Sequence, residues 1–582
     1  MKRIFKILNA KDYLMVAICF LFIIGEVWLD LTMPEYMSKI TTLLQTTGAT
    51  RAILKNGSFM LLCALGSLIL SIFVGYFVAK LAGKIGKVLR EQIYDKVGTF
   101  SKAEITKFST PSLITRCTND TSQVQRVVAM GLQVIVKAPV LAVWAILKIL
   151  NKSWAWSLAT IITVVVLVSF ITIIISICIP KFKIVQKQID DLNRVTRENL
   201  TGIRVVHAFN AEEYQQEKYE VVNESLRKTQ TFTSRRLAML SPVMSLMVGS
   251  LSLAIYWIGA FLINKADMMN KIVLFSDMIV FSTYAMQIIS AFIMMVMIFM
   301  MMPRAIVSVK RINEVMNTDP SIKDGKGVNP EPLGTIEFKN VNFRYPGSHA
   351  DMLSNINLKI EKGETVAFIG STGSGKTTLI DLIPRFYDAT EGEVFVDGEN
   401  VKDYKLEDLN NRIGYISQKA VILSGTIFDN VSMGQNLQAQ DVLDAIAYSQ
   451  AKEFVENMEN QENATIYQSG KNISGGQKQR LSIARAIAKK PEILIFDDSF
   501  SALDYNTDKL LRETLDEKFS NTTRLIVAQR IGTIKDADKI VVLDNGKIVG
   551  IGTHMDLLQN NKVYRQIAAT QLSKEELYGT TK

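Results

Sequence analysis

The sequence predicts a multi-domain chain: an all-α domain of six long apolar helices, followed by an α/β domain that carries a helical subdomain. Three observations carry that prediction. Apolar residues make up 48% of the 582-residue chain, yet nearly all the long apolar runs fall before about Arg304. After that point an apolar strand, 365–370, runs straight into a glycine-rich loop. Lys and Arg outnumber Asp and Glu by 66 to 56, and they crowd the segments between the apolar runs.

A helix that crosses the hydrocarbon core of a bilayer needs about 20 mostly apolar residues. Six stretches qualify, at about 13–32, 59–81, 130–150, 154–179, 238–263 and 272–302. They define a transmembrane domain over 1–315. The third and fourth are joined by a few residues around Asn151 and Lys152, and the fifth and sixth by 264–271. The intervening stretches 82–129 and 180–237 are long and charged, and helical periodicity continues into 84–100 and 182–198. Their Lys and Arg place them in the cytoplasm together with Lys2 and Arg3, so both termini lie inside. The formal charge of +10 then belongs to cytoplasmic loops, and no nucleic-acid partner is expected. No small-residue cleavage site follows the first apolar run, which reads as a retained helix, and with no organelle presequence before it the expected location is the plasma membrane of a bacterium. Cys19, Cys63, Cys117 and Cys178 show no C-x-x-C and no ligand spacing, so neither disulfides nor a cysteine metal site are expected.

Charges inside spans are costly and usually face a cavity or a partner. Glu26, Asp30, Lys137 and Asp277 are the cases, although Asp30 and Asp277 also suit the outer interface. The sixth stretch carries Met286, Met294, Met295, Met297, Met300, Met301 and Met302. Flexible thioethers fit a wall for varied apolar ligands, but a packed or lipid-facing helix is the plainer reading and the one expected.

A linker, 316–333, leads to the α/β domain, 334–575, and a tail, 576–582. The alternation I-E-F-K-N-V-N-F-R-Y from Ile336 reads as antiparallel strands. Gly370, Ser371, Thr372, Gly373, Ser374, Gly375, Lys376, Thr377 and Thr378 then form a complete P-loop between a strand and an apolar helix, a RecA-like setting for a nucleotide. Glycines let backbone amides wrap phosphates, and the helix start adds positive potential. Lys376 is placed to reach the β- and γ-phosphates of ATP, and Thr377 to give a hydroxyl to Mg²⁺. A second apolar strand, 493–496, ends in Asp497, which suits the same metal through water. Ile473 precedes Ser474, Gly475, Gly476 and Gln477, where Ser474 caps a helix.

That last segment resembles the signature of ATP-binding cassette (ABC) proteins. Other family marks stand in order: Tyr345 where an aromatic stacks on adenine, Gln418 in Y-I-S-Q-K at the Q-loop, and Ser501-Ala502-Leu503-Asp504 at the D-loop. S-L-I-T-R-C-T-N-D near Asp120 and E-N-L-T-G-I-R-V-V-H-A-F near Phe209 look like the two coupling regions of ABC exporters, at about 117–126 and 200–211. The resemblance covers essentially the whole chain. It implies a half-transporter with an exporter fold, and helices exchanged between subunits. It also implies Gln418 beside the magnesium, and a γ-phosphate clamped by Ser474–Gln477 of the opposite subunit.

Two positions depart from the family. A catalytic Glu should follow Asp497, and Asp498 stands there. Loss of one methylene retracts the carboxylate by roughly 1.5 Å, about one carbon–carbon bond, and makes it a poor base. A switch histidine should follow the strand L-I-V-A, and Gln529 stands there. Glutamine donates a hydrogen bond but cannot become a cation. His207, His349 and His554 do not fit the position. The pattern resembles the degenerate-site subunit of heterodimeric bacterial exporters, many of them multidrug pumps. It implies a second, non-identical half-transporter, membrane lipid surroundings and hydrophobic or amphipathic substrates. Export of a specific lipid, haem or peptide is the alternative. A homodimer with two weak sites, and a nucleotide-gated channel or membrane regulator, are further ones.

Overall fold

The computed structural model describes residues 8–46, 48–150 and 152–572, with backbone alone for Lys183, Met268, Met269, Met297, Phe299, Met300 and Pro303. Lys2, Arg3, Asn151, the tail 576–582, and the side chains of Met297 and Met300 therefore lie outside the described residues. The chain divides into two compact units. One comprises the residues up to Lys96 together with Pro111–Thr318, and the other Val97–Thr110 together with Asp319 onward.

The first unit is all helix. Among the described residues, six helices are long and apolar enough to cross a membrane: Ala10–Thr46, Thr50–Gly98, Thr110–Leu150, Trp154–Thr201, Glu212–Lys265 and Asn270–Val296. Each expected span falls on one of these helices, the sixth on the full length of Met268–Asn317, and the helices overrun the spans. The 49 residues of Thr50–Gly98 reach about 70 Å at 1.5 Å per residue, against about 30 Å of hydrocarbon. Hydropathy marks only the lipid-embedded part: the first helix continues past its apolar stretch to Thr46. Pro34, Pro139 and Pro180 sit inside helices, where neighbouring groups answer freed backbone atoms. One turn before Pro34, Tyr284 Oη also donates to the Leu31 carbonyl at 2.9 Å and ties this helix to the sixth.

The core of this unit gathers Ile23, Val27, Val78, Ala138, Ala145, Trp156, Leu167, Phe281 and Ile288, with Met294 and Met295 packed against it. Those two methionines follow the packed reading, whereas Met286 is exposed. The intramembrane charges pair with one another. Lys137 Nζ lies 2.6 Å from Glu26 and 3.6 Å from Asp30, and Ser67 donates to Asp30. Lys148 pairs with Glu35. Asp277 meets Lys152, in the turn after the third span, which sets it at the end of its own span.

The stretch 117–126, expected as the first coupling region, lies in this unit. Arg116–Asp120 is a π-helical turn that continues into the helix Thr121–Leu150. It is fastened to the end of the helix Met268–Asn317. Asp120 accepts from Ser308 Oγ at 2.8 Å and lies 3.2 Å from Arg311. Arg116 donates to the Arg311 carbonyl at 2.6 Å and lies 3.1 Å from Glu314. The segment that clusters with the second unit is 97–110. Its short helix, Lys102–Phe108, is closed by a capping box between Ser101 and Glu104. The second expected region contains a one-turn helix, Ile203–Ala208, with Phe209 exposed.

Twelve strands are described in the second unit. They are β1 (Ile336–Phe343), β2 (Leu353–Ile360), β3 (Thr365–Gly370), β4 (Glu391–Val396), β5 (Glu399–Asn400) and β6 (Ile413–Ile416), then β7 (Gly425–Thr426), β8 (Thr465–Ile466), β9 (Ile493–Asp497), β10 (Thr523–Val527), β11 (Lys539–Asp544) and β12 (Lys547–Gly552). An antiparallel sheet runs β2-β1-β4-β5, and a six-stranded sheet runs β12-β11-β3-β10-β9-β6. In the latter every pair is parallel except β11 with β12. Both faces of this sheet are buried, because side chains alternate along a strand. Val366, Phe368, Ile493 and Ile495 enter one core, and Ala367, Ile369, Leu494 and Phe496 the other. The second core also holds the helical subdomain, through Ile427, Val442, Ile446 and Leu481. A buried ion pair, Arg412 to Asp397 at 2.7 Å, fixes the entry to β1, because Asp397 also accepts from the Gly334 and Thr335 amides.

Candidate functional site

Parallel strands direct their C-terminal ends to one edge, where α/β sheets bind ligands. Here β3 ends in the P-loop, β9 in Asp497, and Gln418 and Gln529 each stand two residues beyond β6 and β10. Sheet order makes these loops neighbours.

The P-loop is shaped by its glycines. Gly375 has φ +100°, and a Cβ there would stand 2.7 Å from Leu353 Cδ2. Gly373, at φ +83°, faces open space, which leaves its backbone accessible. Ser371, Thr372 and Gly373 are exposed, Gly370 is half-buried, and Ser374 and Thr378 are buried. Lys376 Nζ donates to the carbonyls of Gly370 and Ser371 at 2.9 Å each. Burial lowers the pKa of this ammonium, while Asp498 and Asp497 oppose the shift. Thr377 Oγ1 donates to Asp497 Oδ1 at 2.8 Å. Burial first, then Asp381 and Asp498, raise Asp497 above the usual carboxylate range against that hydrogen bond.

These residues fit a magnesium nucleotide. A hydroxyl and a carboxylate meet as hard oxygen donors, and a half-buried cation, Lys376, lies in an amide-lined loop. No cluster of three or more His, Cys, Asp or Glu suited to a metal occurs among the described residues, so phosphate and water would complete the shell. Tyr345, half-buried, bonds through Oη to Thr378 Oγ1 at 2.8 Å. Its ring lies edge-on to Tyr387, with centroids 5.3 Å apart.

Asp498 is buried, with φ 47°, and its amide donates to the Val527 carbonyl at 3.0 Å. Oδ2 accepts from two side-chain amides, Gln529 Nε2 at 2.8 Å and Gln418 Nε2 at 3.2 Å. Gln571 braces the first of these by donating to the Gln529 carbonyl and accepting from the Ile531 amide. His554 is elsewhere, bonded to Tyr564.

Ser474 caps the helix Gly475–Ala488 in a capping box with Gln477. Ser474 and Gly475 are exposed, so the start of that helix is open to solvent. Asp504 caps the helix Tyr505–Lys518.

Sequence reasoning missed three residues, Asp381, Lys102 and Tyr415. Asp381, 1% exposed, closes the short helix after the P-loop. It takes Lys102 Nζ on Oδ2 at 2.6 Å and Tyr415 Oη on Oδ1 at 3.0 Å. Tyr415 also bonds Asp497, and burial followed by both carboxylates raises the phenol's pKa. A lone acid in the apolar run T-L-I-D-L-I was the available signal for Asp381.

A family model described as "ABC transporter transmembrane region" matches residues 16–302, and one described as "ABC transporter" matches 353–501. An uncharacterised ABC transporter ATP-binding protein of Mycobacterium tuberculosis is 36% identical over 540 residues, 90% of each chain. A second, YfiB of Bacillus subtilis, is 31% identical over 97% of this chain and 98% of its own. The ATP-dependent lipid A-core flippase of Escherichia coli is 30% identical over 89% of each. The solved structure of a bacterial Atm1-family ABC exporter with ATP bound superposes with a TM-score of 0.79. It is 22% identical and covers 97% of this chain and 100% of that one.

Proposed function

The chain belongs to the ABC transporter family as a multi-pass membrane protein with the exporter fold, and on that premise we propose that it is the degenerate-site half of a heterodimeric bacterial exporter. Its P-loop holds ATP and turns it over slowly. Its signature, Ser474–Gln477, completes the competent site on a partner that supplies Glu and His. Hydrophobic or amphipathic compounds, multiple drugs among them, are the cargo, and both termini lie in the cytoplasm.

One observation carries this reading: Asp498 Oδ2 is met by the amides of both Gln418 and Gln529. A general base must accept a proton from its water. Here the short carboxylate is already bonded to two neutral donors, and a neutral amide stands where an imidazole would stabilise developing charge. The nucleotide-holding groups remain: Lys376 as counter-charge, Thr377 and Asp497 as oxygen donors, the Gly370–Thr378 loop for phosphates, and Tyr345 for the base. Magnesium, when bound, would neutralise charge on the phosphate oxygens. Gln418 keeps its amide oxygen free of Asp498 and could meet that ion's water.

Purification of the chain alone, and with a partner half-transporter bearing the Glu and the switch His, tests the proposal. The pair is expected to hydrolyse ATP at least tenfold faster per site. Comparable rates would sink the two-chain reading. A lipid cargo is the second reading, favoured by the likeness to the lipid A-core flippase. Stimulation of ATPase by phospholipid but by no amphipathic dye would select it.

A further inference from the structure

The helix Lys102–Phe108 sends one cation into the ATPase unit. Lys102 Nζ lies 2.6 Å from Asp381 Oδ2, and Asp381 is all but excluded from solvent. The ammonium also stands 5.9 Å from the Phe386 ring and 5.8 Å from the Tyr387 ring, while about half of the lysine side chain, 49%, stays open to water, so the pair joins a buried acid to a half-exposed base. Burial would lower its pKa, but the hydrogen bond and charge of Asp381 outweigh that and hold it above the ordinary value.

From Asp381 a chain of polar groups leads to the metal end of the site. Tyr415 Oη bonds Asp381, lies also against Asp497, and Asp497 accepts from Thr377 of the P-loop. Three carboxylates, Asp381, Asp497 and Asp498, therefore stand close to where a triphosphate must sit. Lys376 and Lys102 are the cations placed against them.

We propose that Lys102 is a positioning residue of the nucleotide site, neutralising Asp381 so that the Tyr415–Asp497–Thr377 end can receive a magnesium triphosphate. The inference rests on the nucleotide-site reading above. Without Lys102, an unpaired buried carboxylate repels the anionic ligand and competes with Asp497 for the single Tyr415 proton. The connector following the second spanning helix thereby sets how tightly the site holds nucleotide.

Equilibrium binding of ATP with Mg²⁺ to the full-length chain, read by displacement of a fluorescent trinitrophenyl-ATP, tests this. Lys102→Met is expected to weaken binding about tenfold, the order of one unit charge acting across about 10 Å at an effective dielectric near 20. Lys102→Arg keeps the charge and is expected to bind within about twofold of wild type. The double variant Lys102→Met/Asp381→Asn leaves no charge unpaired and is expected to recover most of the loss. A purely mechanical anchor predicts the opposite for the double variant, because it too lacks the anchor. Wild-type affinity in Lys102→Met, or a double variant as weak as Lys102→Met, would overturn the proposal. If Lys102→Met does not fold, the double and Lys102→Arg still decide between the two accounts. Failure of the wild-type chain to bind ATP would instead defeat the nucleotide-site reading.

Discussion

At the scale of single residues, the proposed reading separates groups that hold a nucleotide from groups that would cleave it. Asp498→Glu with Gln529→His restores both missing parts, a longer carboxylate and an imidazole. Hydrolysis at this chain's own P-loop, measured by single turnover with the partner site disabled, is expected to rise by about 10²-fold or more. Either substitution alone is expected to do much less. With Asp498→Glu alone, Gln529 would still occupy the lengthened carboxylate, and with Gln529→His alone the new imidazole would face a retracted acid. Asp497 bears on stability. Burial raises its pKa, with Asp381 and Asp498 adding to the shift. A carboxyl whose folded-state pKa lies above its unfolded value stabilises the fold below the unfolded pKa, and that contribution is lost as pH rises through the folded pKa. Near neutrality the ionised group therefore works against the nucleotide-free fold. Asp497→Asn is expected to raise the apparent unfolding temperature at pH 7 by a few degrees, with a gain that shrinks on acidification. The same variant should lose the dependence of ATP affinity on magnesium.

At the scale of elements, contiguous motifs were legible and long-range pairings were not. The P-loop lies between β3 and its helix, and Ser474 and Gln477 reach each other three positions apart, so local reading suffices. Lys102 and Asp381 are 279 positions apart, and nothing local announces them. Gln418 and Gln529 share Asp498 only because the order β3-β10-β9-β6 sets their loops together. The segment that clusters with the ATPase unit escaped notice for a related reason. Lys102–Phe108 has seven residues, too few for periodicity to register, whereas 117–126 reads as helix and remains in the membrane unit. Pairs and caps can each be tested at this scale. Arg412→Met strands Asp397, whose carboxylate is fully buried, and is expected to cost about 3–5 kcal/mol, read by pulse proteolysis of the full chain in detergent. Ser474→Ala removes a cap worth about 1 kcal/mol. If Ser474 also clamps the partner's nucleotide, hydrolysis by the two-chain complex should fall about hundredfold, far beyond any loss of folded protein.

At the scale of the whole molecule, the proposed heterodimer makes transport the work of two chains. Inverted membrane vesicles containing both halves are expected to accumulate an amphipathic dye on addition of ATP, and vesicles containing this chain alone are not. The Arg116–Asp120 turn bears on how such movement would be organised inside the membrane unit. Its acid and base are buried against Ser308, Arg311 and Glu314, so the root of the third span and the tail of the sixth are bolted together. Two rods pinned at one end cannot slide past each other lengthwise. Joined there, their near ends can only travel together, so any parting of the two is confined to hinging or bending toward their far ends.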